Sequence, residues 1–135
     1  MQLTTKIEYT VRALTELAKV TDGKPVTIKE ICSRQQLPAK YMEQLFRKLK
    51  RKQLINSTKG ALGGYILNAS PDRLSLREIM SAVEDEPVRL DCCGDKGNRE
   101  FCIGSPCDFY TTWQDIKKDL DQYFGNIPLS RFINH

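Results

Sequence analysis

The stretch TIKEICSRQQLPAKYMEQLFRKLKRK, residues 27–52, constrains this chain more than any other part of it. Thr27-Ile28-Lys29-Glu30 fits a capping box, with the Thr27 hydroxyl accepting a backbone N–H and Glu30 reaching back to the helix start. The short helix that follows buries Ile28, Ile31 and Cys32. Gln35-Gln36-Leu37 leaves room for only a tight connection, and Pro38 suits the first turn of the next helix. That helix, 38–52, sets Tyr41, Leu45 and Leu49 at i, i+4 and i+8, and with Met42 and Phe46 they make an inner face. Ala39, Lys40, Glu43, Gln44, Arg47, Lys50 and Arg51 fall outside it. Two short helices joined by a few residues, the second basic and outwardly polar, predict a helix-turn-helix.

The flanking segments complete a small head. Leu3, Ile7, Val11, Leu14, Leu17 and Ala18 recur at helical spacing and predict a first helix over 3–20 with one buried face, ended by Asp22-Gly23-Lys24-Pro25. After the basic helix, Leu54-Ile55-Asn56-Ser57 and Tyr65-Ile66-Leu67 read as short strands around a loop holding Lys59, Gly60, Gly63 and Gly64. Glycine lets a backbone approach closely, and Lys59 beside Gly60 can reach a phosphate or the minor groove, so the hairpin is expected to act as a wing. Ser75-Leu76-Arg77-Glu78 is a second capping box, opening a helix through Ile79, Met80 and Val83 that ends near Pro87.

Charge supports a polyanion partner through its placement. The chain carries a net +4, but Lys40, Arg47, Lys48, Lys50, Arg51, Lys52 and Lys59 face Glu43 alone within residues 38–59. That segment holds a surplus of +6, so the remainder is mildly acidic. With 40% apolar and 28% charged residues in 135, one globular core is expected rather than disorder. No apolar run approaches a membrane span, and MQLTTKIEYTVRALTEL has no signal-peptide core, so a cytoplasmic location and no membrane partner are expected. Neither G-x-S-x-G, H-E-x-x-H nor a phosphate loop occurs and the single His is terminal, so no catalytic residues are assigned.

Between the second capped helix and the C-terminal segment lies CCGDKGNREFCIGSPC, residues 92–107, with four of the five cysteines. The residues alone leave four readings open: an iron–sulfur cluster, a zinc site, a thiol–disulfide switch, or inert thiols. Zinc sites favour close cysteine pairs, and only Cys102 with Cys107 comes near that spacing. Beyond the cysteines, Phe109, Trp113, Ile116, Leu120 and Tyr123 recur at spacings of 4, 3, 4 and 3, a 3.5-residue stripe that favours helix–helix pairing.

Taken in order, MQLTTKIEYTVRALTELA, YMEQLFRKLKRKQLI, KGALGGYIL, LREIMSAVE and CDFYTTW resemble the winged-helix transcription regulators of the IscR/NsrR type, which sense iron–sulfur status, nitric oxide or iron. The resemblance implies a mainly α fold with a small β-wing: a winged helix-turn-helix head over 1–86, a cysteine-rich sensor loop over 87–107, and a dimerisation helix and tail over 108–135. It implies a homodimer on a double-stranded DNA operator, with the 109–123 stripe at the dimer interface. It also implies that Glu43 and Gln44 reach base edges while Lys40, Arg47 and Lys59 contact phosphates or the minor groove. Physically, Gln pairs with adenine and Glu accepts from cytosine N4.

For the cofactor the resemblance implies an iron–sulfur cluster, of two or four irons, held by Cys93, Cys102 and Cys107, with Cys92 as an alternative to Cys93. Two features depart from the family pattern. The gap from Cys93 to Cys102 is wide, and Tyr110 stands where the two-iron branch has a histidine ligand. Other branches take a carboxylate from near the partner's N-terminus, and Glu8 stands at the matching position. The alternatives are a metal-free thiol/disulfide-sensing regulator and a winged-helix module that binds protein in place of DNA.

Overall fold

In the computed structural model, residues 3–59, 63–85, 88 and 109–133 are described. The first helix, α1 (Thr5–Ala18), starts where the Thr4 hydroxyl accepts from the Ile7 amide at 3.4 Å. Ile7, Val11, Leu14 and Leu17 form its buried side, but Thr10, Ala13, Thr15 and Glu16 are buried as well. Contacts with α2 (Ile28–Gln35), α3 (Ala39–Arg51), strand β2 (Gly64–Leu67), α4 (Leu76–Val83) and a 3-10 turn (Leu129–Phe132) account for this. Leu3 does not belong to the buried face: it precedes the cap, lies outside the helix and is 50% exposed.

Both capping boxes form. Glu30 donates its amide to the Thr27 hydroxyl at 3.1 Å and its carboxylate accepts from the Thr27 amide at 3.2 Å. Glu78 and Ser75 do the same at 3.2 and 2.9 Å. Helix α2 stops because Gln36 adopts a left-handed conformation, φ 55° and ψ 51°, and the Leu37 amide returns to the Cys32 carbonyl at 3.0 Å. Leu37 is buried, which pins the turn to the core. Pro38 is the residue before α3 and not its first residue, with ψ 118° keeping it extended.

Helix α3 buries Met42, Leu45, Phe46 and Leu49 almost completely, while Tyr41 is half-buried and meets Tyr9 of α1 edge-on at 6.2 Å. Strand β1 (Ile55–Thr58) pairs antiparallel with β2, Ile55 opposite Leu67 and Thr58 opposite Gly64. A pairing not evident in the sequence adds to this hairpin. Val26, just before α2, exchanges both backbone hydrogen bonds with Tyr65, at 3.0 and 2.8 Å. The ring of Tyr65 stands edge-on to Phe46 of α3, centroids 5.0 Å apart. The wing is thus tied to the segment before the helix-turn-helix and to its second helix.

Among the described residues, helix α5 (Tyr110–Gly125) packs against the head towards its C-terminal end. Phe124 is its buried residue, and beyond it the Leu76 amide donates to the Ile127 carbonyl at 2.7 Å and the Leu129 amide to the Leu74 carbonyl at 2.8 Å. Arg77 pairs with Asp121 at 3.2 Å. Phe109 is the residue before the helix. Of the five-residue stripe, Leu120 packs half-buried on the head's own core, while Phe109, Trp113, Ile116 and Tyr123 are 69, 37, 38 and 59% exposed. Among the described residues no helix is long and apolar enough to cross a membrane.

The close approach of β2 to Val26 makes one substitution informative. A Cβ on Gly64 would stand 2.8 Å from both the carbonyl carbon and oxygen of Val26. Gly64→Ala should therefore destabilise the fold by about 1–3 kcal/mol, read as a lowered midpoint in urea unfolding, whereas Gly23→Ala meets no neighbour and is limited to the strain of its φ of 75°.

Candidate nucleic-acid interface

The inner face of α3 fixes what its outer face can present. Lys40, Glu43, Gln44, Arg47, Lys48, Lys50 and Arg51 are all exposed, as is Lys59, the residue after β1. Gly60 lies outside the described residues. With Met42, Leu45, Phe46 and Leu49 pointing inward and about 100° between successive residues, Lys40, Gln44, Arg47 and Arg51 run along the outer crest. Glu43 sits on one flank, near enough to Cys32 of α2 for its charge to act on the thiol. Burial, and then the Glu43 charge, push the Cys32 thiol above its ordinary range, as expected for an inert core cysteine.

The electrostatics separate this face from the rest of the head. Lys6, Lys19, Lys24, Arg34 and Arg77 each lie within ion-pair distance of a carboxylate. None of the seven cations between residues 38 and 59 does, among the described residues. A crest of unpaired cations and one amide, on a helix about 10–12 Å across, suits a major groove about 12 Å wide. The N-terminal half supplies the groups that can read bases, and the wing carries Lys59 alongside.

One residue that ties α1 to the helix-turn-helix carries no signal in the sequence pattern. Glu16 of α1 is 6% exposed and accepts from the Gln35 amide side chain at the end of α2. Lys19 Nζ lies 3.2 Å and Arg34 Nη1 3.6 Å from the same carboxylate. Burial alone would raise its pKa. The hydrogen bonds from Gln35 and Lys19 and the charges of Lys19 and Arg34 outweigh burial, so the carboxyl is held below the usual range. In the sequence Glu16 is one polar residue in a helical repeat with Lys19 three residues on, and its partners Gln35 and Arg34 are revealed only when α2 packs across α1.

Glu8 occupies a different surface. It is exposed, and its carboxylate makes no hydrogen bond or ion pair among the described residues. It lines an open groove of about 360 Å³ with Leu3, Ile7, Val11, Arg12, Leu76 and Phe132. Cys92, Cys93, Cys102 and Cys107 lie outside the described residues, so of the expected ligands the structure places Glu8 alone.

The comparisons with known proteins decide what this arrangement belongs to. Residues 3–135 match the profile of Rrf2, described as an iron-dependent transcriptional regulator. The chain belongs to the Rrf2 family. It is 38% identical to a protein of Neisseria meningitidis serogroup A named as a proposed HTH-type transcriptional regulator, over 98% of this chain and 88% of the relative. It is 33% identical to the Escherichia coli HTH-type transcriptional regulator IscR, over 100% of this chain and 82% of IscR. Among solved structures, T. potens IscR superposes with a TM-score of 0.73 at 28% identity, covering 98% of this chain and 86% of that one. CymR, described as the global cysteine regulator of B. subtilis, gives 0.72 at 26%, covering 98% and 96%.

The mainly helical fold with a small wing and the membership of a family of transcription regulators, not enzymes, therefore agree with the sequence reading. This Rrf2 protein is a DNA-binding transcription regulator.

The Glu16 carboxylate gives its stability a pH signature. Because its pKa is lowered on folding, its contribution is complete above the unfolded carboxylate range and is lost as pH falls through the folded value. Glu16→Gln should be less stable than wild type at neutral pH by about 1–3 kcal/mol. The gap in urea midpoints should close under acid conditions, and a gap independent of pH would contradict the assignment.

Proposed function

We propose that this regulator acts as a cytoplasmic homodimer whose affinity for a double-stranded operator is set by an iron–sulfur cluster held by Cys93, Cys102, Cys107 and Glu8, with Cys92 as the alternative first cysteine. The observation that carries the reading is one of placement. Among the described residues the head and α5 meet towards the C-terminal end of that helix, and all four clustered cysteines fall in the chain joining α4 to α5. Any change in that connection acts on the relation between DNA-reading surface and projecting helix.

The donor set suits the cofactor. Thiolates are the soft ligands an iron–sulfur cluster requires, and Glu8 offers an unengaged carboxylate at the rim of an open groove. Similarity to IscR proteins supports the same reading. When bound, the cluster would supply oxidation-sensitive iron–sulfur bonds. The protein's part is to hold four donors together, and in doing so to hold the connection in one arrangement. Domain boundaries follow the same division: head 1–86, sensor segment 87–107, dimerisation helix and tail 108–135.

The homodimer rests on α5. Phe109, Trp113, Ile116 and Tyr123 present apolar surface left exposed among the described residues. A second copy covering that stripe would put two heads on one duplex, with Glu43 and Gln44 at base edges and Lys40, Arg47, Lys59 and Gly60 at the backbone. A metal-free thiol switch using the same cysteines is the second reading, favoured by Tyr110 in the position of a histidine ligand and by similarity to CymR.

The deciding measurement is an anaerobic visible and Mössbauer spectrum of reconstituted protein, compared with Glu8→Ala. Wild type should be coloured with cluster iron, and Glu8→Ala should alter the Mössbauer parameters of one iron site. A colourless, iron-free product would sink the cluster and leave the thiol switch. For the dimer, Ile116→Glu should shift sedimentation to the monomer while far-UV circular dichroism retains a folded head.

A further inference from the structure

The cations of α3 do not form one group. The crest holds Lys40, Gln44, Arg47 and Arg51. Lys48 and Lys50, two residues apart, project about 160° from one another around the helix axis, one on each side of that crest. Both are exposed, and neither has a carboxylate within ion-pair distance among the described residues.

Nothing in the head explains this pair. Lys48 lies three residues before Arg51 and four before Lys52, and Lys50 lies three after Arg47. Those are the spacings at which helical side chains are neighbours, and every one of these contacts is between like charges. The C-terminal dipole of α3 welcomes cations in its last turn, yet it is indifferent to which side of the helix they occupy. What rewards opposite sides is a partner with negative charge on both. A helix seated in the major groove has one such wall on each flank, a phosphate strand to either side of the base edges.

We infer that Lys48 and Lys50 form a two-sided phosphate clamp, one lysine on each strand bordering the major groove that receives α3, and that they carry affinity without sequence information. The inference rests on α3 being the helix that enters DNA, and extends it to two residues with a role distinct from that of Glu43 and Gln44. A lysine ammonium is a flexible point charge and suits such contacts, since no fixed hydrogen-bond fork is required.

The test is a salt titration of operator binding, with duplex selected from a random pool by the wild-type protein and an unselected duplex as control. Because the proposed homodimer carries each lysine twice, Lys48→Gln and Lys50→Gln should each reduce the slope of log K against log salt by about 1.8, and the double variant by about twice that. Affinity should fall on both duplexes in the same proportion, several-fold per lysine at low salt, so that the ratio between them holds. Lys48→Arg and Lys50→Arg should restore the slope. Gln44→Ala should instead change the ratio between duplexes. Unfolding midpoints report the dipole contribution separately. An unchanged slope in either single variant, or a loss confined to the selected duplex, would overturn the clamp while leaving α3 as the DNA helix. Wild-type binding with no salt dependence on any duplex would remove both.

Discussion

Burial of α1 on several sides is the constraint from which the rest of the head follows. A helix with one apolar stripe can rest on a single neighbour. Here Thr10, Ala13, Thr15 and Glu16 are enclosed along with Ile7, Val11, Leu14 and Leu17. The helix-turn-helix closes over one side, β2 approaches near Val26, and α4 with the 3-10 turn covers another. Small residues such as Ala13 allow this close approach, and hydroxyls such as those of Thr10 and Thr15 satisfy themselves on their own helix, at the Lys6 and Arg12 carbonyls. Glu16 is the polar exception, and it is retained because α2 brings it Gln35 and Arg34 while Lys19 reaches it from the end of its own helix. A buried carboxylate with donors in place fixes orientation in a way that apolar packing, which tolerates sliding, does not.

What could be read from the sequence divides along the same line. The capping boxes at Thr27 and Ser75, the inner faces of α1 and α3, and the hairpin were legible because each depends on residues within one or two turns of each other. The Val26–Tyr65 pairing was not, since a single bridge made by residues 39 positions apart leaves no period in the chain. Leu3 matched the spacing of α1, but the cap at Thr4 ended the helix first. Leu120 matched the stripe of α5 and turned inward because Phe124, Ile127 and Leu129 anchor that end of the helix to the head. The basic face of α3 was visible as a charge block. Its division into crest and flanks required knowing which four residues point inward.

That division matters because the uncompensated charge works against the fold. Like-charge neighbours at helical spacing cost about 0.2–0.5 kcal/mol each, and Arg47, Lys48, Lys50, Arg51 and Lys52 make several. The dipole at the end of α3 offsets part of this, about 0.3–1 kcal/mol per cation at low salt. A helix whose outer face is left with so little compensation is arranged for a polyanion, where the same repulsion becomes counterion release. The wing belongs to the same arrangement. Tyr65 packs β2 against Phe46, which joins the hairpin to α3.

Helix α5 poses the opposite problem, uncovered apolar surface in place of uncompensated charge. Sixteen residues form a helix about 24 Å long, and helices of that length are marginal in water without packing. Among the described residues the C-terminal end of α5 is packed by its own head, through Leu120, Phe124 and the Arg77–Asp121 pair. In the proposed dimer the missing packing comes from the second copy, so the order of the N-terminal half depends on association. That half begins immediately after the cysteine segment. At the other end of the same segment, Glu84 accepts from the Thr4 hydroxyl at 2.9 Å and lies 3.7 Å from Lys6, clamping the exit of α4 to the start of α1.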